Sequence, residues 1–154
     1  YKGYHGDCAR TWPCGNVKSD RLKLIEVTEQ SFFEGLKYAH PGNRLSDISH
    51  AIEMYAKKFN YGVVRDFTGH GVGSKLHEDP AVPNYGKEGM GPVLRKGMTL
   101  AIEPMINMGT YKVKILADGW TTITSDHSPS AHYENSIVIT DNGYEILTKI
   151  KEND

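Results

Sequence analysis

The stretch "SDISHAIEMYAKKF", residues 46–59, places Ile48, Ala51, Ile52, Tyr55, Ala56 and Phe59 at i, i+3, i+4, i+7, i+8 and i+11. That spacing is one apolar stripe of an amphipathic helix. It stops at "NYG" (60–62), and the texture then changes. "GVVRDF", "MTLAIEPMIN", "YKVKIL", "WTTIT", "HYENSIVIT" and "YEILT" are short runs rich in β-branched and aromatic residues, divided by turn signals. Two of those signals, "ADGW" (117–120) and "TDNGY" (140–144), fit hairpin turns. Upstream, Ser19 as N-cap opens a helix expected to run to about Ala39, with Leu22, Ile25, Phe32, Leu36 and Ala39 on one face and "HPGN" as its stop. Two helices followed by sequence-adjacent strands predict an α+β domain, its helices covering one face of a mainly antiparallel sheet.

The 154 residues have the length of one domain, with no repeat, low-complexity segment or linker to divide them. A net charge of -1 gives no basic excess to draw in phosphate backbones, so nucleic acid is not an expected partner. No apolar run approaches the roughly eighteen residues needed to span a bilayer, and "YKGYHGDCARTW" has no signal-peptide core, so no membrane association is expected. Cys8 and Cys14 make neither a disulfide framework nor a usual zinc pattern. Two reduced thiols in a cytoplasmic setting are expected. The opening "YKGYHGDCARTW" reads as the second arm of a hairpin with "KG" as its turn, so the chain is expected to begin inside a larger fold.

Acidic side chains within apolar strands are costly unless they are paired or bind a cation, which singles out Glu103 in "LAIEPMI" and Glu134 in "HYENSIVI". Asp7 in "YHGDCART" is a third carboxylate on an expected strand. In "TGHGVGSKLHEDP" (68–80), Gly69 and Gly71 flank His70, where a missing Cβ lets another group approach closely. Three carboxylates and one imidazole suit manganese, iron, cobalt or zinc rather than a thiolate zinc site. Taken singly, each acid reads equally well as an outward-facing strand residue.

Together, in order and spacing, these stretches resemble the methionine aminopeptidases: "GYHGDCART", "GHGVGSKLHEDP", "GMTLAIEPMINMG", "DGWTTITSDHSPSAHYE", "AHYENSIVIT" and the closing "TDNGYEILT". Only 31 positions separate Glu103 from Glu134, which is similar to type I members. The resemblance implies the C-terminal part of a pita-bread fold over residues 1–154, the N-terminal half lying before Tyr1. It implies Asp7, His70, Glu103 and Glu134 as metal ligands, Asp7 and Glu134 bridging two divalent ions, cobalt, manganese, iron or zinc. Between the ions a water is activated to attack the bond after an N-terminal methionine. Glu103 is then also the proton shuttle, His77 the substrate-side hydrogen-bonding residue and not a ligand, and Phe67 and Trp120 lie near the methionine pocket. A further aspartate ligand in an "IDVT"-like strand falls before Tyr1, so one retained ion site is expected here, and residues 1–154 alone are expected not to cleave N-terminal methionine without the preceding half. Association with the missing half or with a second copy is expected, and peptides or nascent proteins beginning with Met are the implied partners. Two alternatives stand: a non-catalytic pita-bread module that binds peptides or proteins, and a prolidase or aminopeptidase P, for which "IEPMINMG" lacks the glycine of "EPG".

Overall fold

The computed structural model of the protein describes residues 1–149. Helix α1 (Ser19–Leu36) buries Leu24, Val27, Thr28, Ser31, Phe32, Gly35 and Leu36, a run of three- and four-residue steps along one face. Three expectations are corrected here. Lys18 occupies the N-cap without a side-chain cap bond, and Ser19 is the first helical residue. Leu22 is 43% exposed, because it lies off the stripe that Leu24 and Val27 begin. The helix proper stops at Leu36, while Tyr38 and Ala39 extend it as a turn, their N–H groups donating to Gly35 O and Leu36 O at 3.0 Å. Helix α2 (Leu45–Lys57) keeps its expected stripe, with Ile48, Ile52 and Ala56 fully buried, and ends two residues short of Phe59. Its start is secured by Asp47, whose carboxylate accepts from the Arg44 N–H at 2.7 Å.

The strands, in chain order, are β1 (Cys8–Ala9), β2 (Gly62–Val63), β3 (Gly69–Gly71), β4 (Glu78–Val82), β5 (Thr99–Ile102), β6 (Met105–Asn107), β7 (Val113–Ile115), β8 (Thr122–Thr124), β9 (Ser130–His132), β10 (Glu134–Ile139) and β11 (Tyr144–Ile146). Strands β1, β10, β5, β3 and β4 lie side by side in that order, with β11 also on β10. A second sheet runs β2, β6, β9, and β7 pairs with β8. Every pairing is antiparallel. Both expected hairpin turns are present, joining β7 to β8 and β10 to β11.

Two runs read as single strands are each broken in two. Pro104 has no N–H for a ladder, so "MTLAIEPMIN" leaves the large sheet after Ile102 and enters the small one at Met105. Tyr133 makes the matching crossing between β9 and β10, its N–H donating to Pro104 O at 3.2 Å. Likewise "GVVRDF" contributes only Gly62–Val63, and β3 and β4 form where the sequence signals only glycine and turn residues.

Phe32, Leu36, Ile48 and Ile52 of the helices pack with Leu100, Ile102, Ile137 and Ile139 of the sheet in one buried cluster. Replacing Ile52 by alanine is expected to cost about 2–5 kcal/mol, the range for removing a branched side chain from a closed core. Urea denaturation checks this, and a loss below about 1 kcal/mol would mean that the site collapses around the change.

Candidate metal centre

Strand register explains how residues so far apart in sequence meet. His70 lies opposite Ala101, Ala101 opposite Ser136, and Ser136 is joined to Asp7 by Ser136 N–H to Asp7 O at 3.0 Å. Asp7, expected on a strand but placed immediately before β1, thus forms one row with Ser136, Ala101 and His70, and directly paired residues share a face. The row is small in its middle, at Ser136 and Ala101, which leaves space above the sheet. Asn135 pairs with Ile102, so one step further Glu134 meets Glu103 at the point where both strands cross sheets. Residues two apart share a face, so these glutamates project beside the first row.

Ligand atoms of His70, Glu103 and Glu134 all lie within 4.8 Å of one another, and so do those of Asp7, His70 and His77. His70 Nε2 is 3.5 Å from Glu103 Oε1 and 3.8 Å from Asp7 Oδ2. The other ring nitrogen, Nδ1, is 2.8 Å from Gly71 O, so it carries the proton and leaves the Nε2 lone pair toward the carboxylates. The flanking glycines have a definite cause: a Cβ on Gly69 would lie 2.2 Å from Ala101 O, and one on Gly71 2.3 Å from Asp79 O. Only glycine lets β3 lie this close to its neighbours while carrying His70 into the row.

Glu134 is 3% exposed, and its Oε1 is buried with no hydrogen-bond partner among the described residues. Burial, and after it the facing carboxylates of Glu103 and Asp7, push its carboxyl up to about 8, with Arg10 acting in the opposite sense. Two glutamates opposite each other with one oxygen unsatisfied are a costly arrangement for a protein alone. A divalent cation removes both costs, and oxygen-rich donors with one imidazole are a chemically suitable set. The residues therefore fit the cation.

Asp7, His70, Glu103 and Glu134, the ligand candidates, come together in this way. His77 is exposed in the loop between β3 and β4, its ring centroid 4.4 Å from that of His70 at an interplanar angle of 77°. That loop is closed around Glu78, whose Oε1 accepts from Ser74 Oγ at 2.9 Å and Lys75 N at 2.7 Å. Phe67 is half-buried in the link between β2 and β3. Trp120 is 89% exposed on the β7–β8 hairpin. Cys8 and Cys14 are free and exposed.

Sequence reading missed two residues. His132 Nε2 lies 3.5 Å from Glu103 Oε2, and its position two before Glu134 on an extended run was the available signal, since period two gives a shared side. Arg10 donates through Nη2 to Asn135 Oδ1 at 2.8 Å and through Nη1 to the main-chain oxygen of Glu134, and its guanidinium stacks 4.0 Å from the centre of the Tyr133 ring. It anchors the backbone beneath Glu134 from just after β1, as Asp7 stands just before it.

The description "Metallopeptidase family M24" matches residues 1–141. The chain belongs to metallopeptidase family M24. A methionine aminopeptidase of Clostridium perfringens is 56% identical to this M24 chain over 149 residues, which are 97% of the chain and 60% of that protein. The crystal structure of a methionine aminopeptidase from Thermotoga maritima superposes with a TM-score of 0.95 at 49% identity, over 97% of this chain and 60% of that one. A prolidase from Pyrococcus horikoshii shares the fold at a TM-score of 0.76 and 26% identity, over 98% of this chain and 38% of that one. The α+β arrangement of two helices on antiparallel sheets is thus the pita-bread fold of these peptidases. The chain spans about 60% of the length of the methionine aminopeptidases it matches.

Proposed function

We propose that these residues form the cation-binding part of a methionine aminopeptidase, which hydrolyses the bond after an N-terminal methionine in peptides and nascent proteins. The observation that carries this reading is Glu134, a buried carboxylate with an unpartnered oxygen, gathered with Glu103 and the oriented Nε2 of His70. Asp7, His70, Glu103 and Glu134 would hold the cation, manganese or cobalt being the proposed choices. A divalent ion bound there supplies Lewis-acid polarisation and a nucleophile at neutral pH.

The chain's own residues have separable tasks. Asp7, immediately before β1, and Glu134 on the neighbouring β10 supply negative charge from one side, and His70 supplies a nitrogen from the other. Glu103 contacts the cluster through Oε1 and is proposed to receive and return a proton through its carboxylate. His77 is proposed to hydrogen-bond the substrate carbonyl oxygen as negative charge develops there. Phe67 and Trp120 are proposed apolar contacts for the methionine side chain. The similarity at 56% identity favours this substrate over the Xaa-Pro peptides of the prolidase reading, whose compared structure is 26% identical.

The test is to load a polypeptide that carries these residues together with the half that precedes them in the relatives with Mn(II) or Co(II), and supply Met-Ala-Ser beside a Gly-Pro dipeptide. Release of free methionine, abolished by chelation and restored by the ion, is the expected result. Cleavage of Gly-Pro alone would replace the reading with the prolidase one, and metal binding without either product would leave a binding module.

A further inference from the structure

His132 places a buried nitrogen beside the ligand set, which leaves it unused. Its imidazole is about one-third exposed, yet Nε2 is buried and has no hydrogen-bond partner among the described residues. Glu103 Oε2 lies 3.5 Å away, an ion-pair distance slightly too long for a formed hydrogen bond. The backbone of His132 is fixed on both sides. Its N–H donates to Thr11 Oγ1 and its carbonyl accepts from the same hydroxyl, both at 2.9 Å. Across the sheet it pairs with Met105, just past the break at Glu103–Pro104. The ring is therefore held at the one carboxylate oxygen that does not face His70.

We propose that His132 is a positioning residue for Glu103: its Nε2–H donates to Oε2 and so keeps Oε1 turned toward His70 and the cation. This rests on the reading of Glu103 as a cation ligand. The two oxygens then have different partners, and the carboxylate loses its freedom to rotate. Apo contacts of this kind tighten when the ligand arrives, which accounts for the 3.5 Å separation. Outer partners of metal ligands change affinity about 10- to 100-fold. The lower end applies here, because His132 also lines a cavity of about 180 Å³ with Arg10, Thr11, Glu29 and Tyr133. Water from that cavity reaches Oε2 once the ring is removed.

Calorimetry with Co(II), together with the visible spectrum of the bound ion, tests the proposal on the parent chain, His132→Ala and His132→Gln. The alanine variant is expected to bind cobalt roughly tenfold more weakly with an altered spectrum, and glutamine, whose amide still donates, to restore affinity to within about threefold. Thermal unfolding of each variant accompanies the titration. Equal affinity and spectra in parent and alanine variant overturn the proposal while leaving the cation reading intact. A parent that binds no cobalt overturns the cation reading, and this inference with it. Nitrogen NMR of the metal-free parent gives a readout that survives a misfolded variant: His132 is expected as the Nε2–H tautomer, its resonance shifting in Glu103→Gln, and an Nδ1–H tautomer would refute the assignment.

Discussion

Glutamine at position 134 is expected to reduce cation affinity at least a hundredfold and, with it, turnover by about a thousandfold. The change Glu134→Gln preserves size and keeps one oxygen, but it removes the charge that a dication must find in a buried shell. Glu134 is the most enclosed of the ligand candidates, so water cannot substitute for it as it can near the half-buried Asp7. Equilibrium dialysis with Mn(II) reads the first effect and methionine release the second. Affinity within threefold of the parent would remove Glu134 from the ligand set.

The same substitution should have the opposite effect on the metal-free fold. Glu134 is pushed up from 4.5 to about 8 by burial and by Glu103 and Asp7, so its charge is disfavoured in the folded chain and not in the unfolded one. Between those values the folded chain holds a proton that the unfolded chain has released. Stability is therefore complete below about pH 4.5 and falls as pH rises toward 8, at up to about 1.4 kcal/mol per pH unit. Glutamine does not titrate. In a chelator, the melting temperature of Glu134→Gln should exceed the parent's by a margin that grows from pH 5 to 8 and then levels. Taking the difference cancels the groups that Glu134 does not touch, and what remains belongs to Glu134 with its neighbours Glu103 and Asp7. Parallel curves across that range would show that the charge meets no such penalty.

The helical stripe from Ile48 to Ala56 was legible because burial alone selects every third or fourth residue there. Leu22 reads as part of the face because it stands about four turns before Leu36 in nearly the same phase, whereas at its own end of the helix the buried side is the one that carries Leu24 and Val27. The sheet crossings at Pro104 and Tyr133 were illegible as crossings, since a run of β-formers carries no mark of which sheet each half joins. The ligand candidates themselves stood out as carboxylates in apolar surroundings, but their meeting depends on register, which places Ser136 and Ala101 between Asp7 and His70. No local pattern encodes that row. His132 went unread because a histidine on a strand is unremarkable until a carboxylate oxygen is found beside its buried nitrogen.

His77→Ala is expected to lower turnover on Met-Ala-Ser by about 100- to 1000-fold, the effect of deleting one preorganised donor at a developing oxyanion, while cation affinity changes less than twofold. The second half of that expectation is the demanding one, because a ring nitrogen of His77 lies within 4.8 Å of ligand atoms of both Asp7 and His70. Distance alone would admit His77 to the coordination shell. The two rings differ in what fixes them. His70 is buried, and Gly71 O binds its Nδ1, which orients Nε2 as a ligand before any ion arrives. His77 is exposed on a loop, and none of the hydrogen bonds that close this loop around Glu78 involves its ring. An imidazole with no hydrogen-bond partner among the described residues costs rotamer entropy to immobilise on a metal, but its exposure leaves it free to meet a substrate. Calorimetry and steady-state assays on the same preparation separate the two roles. Turnover lost with affinity preserved assigns His77 to substrate, whereas a parallel fall in both would make it a fifth ligand.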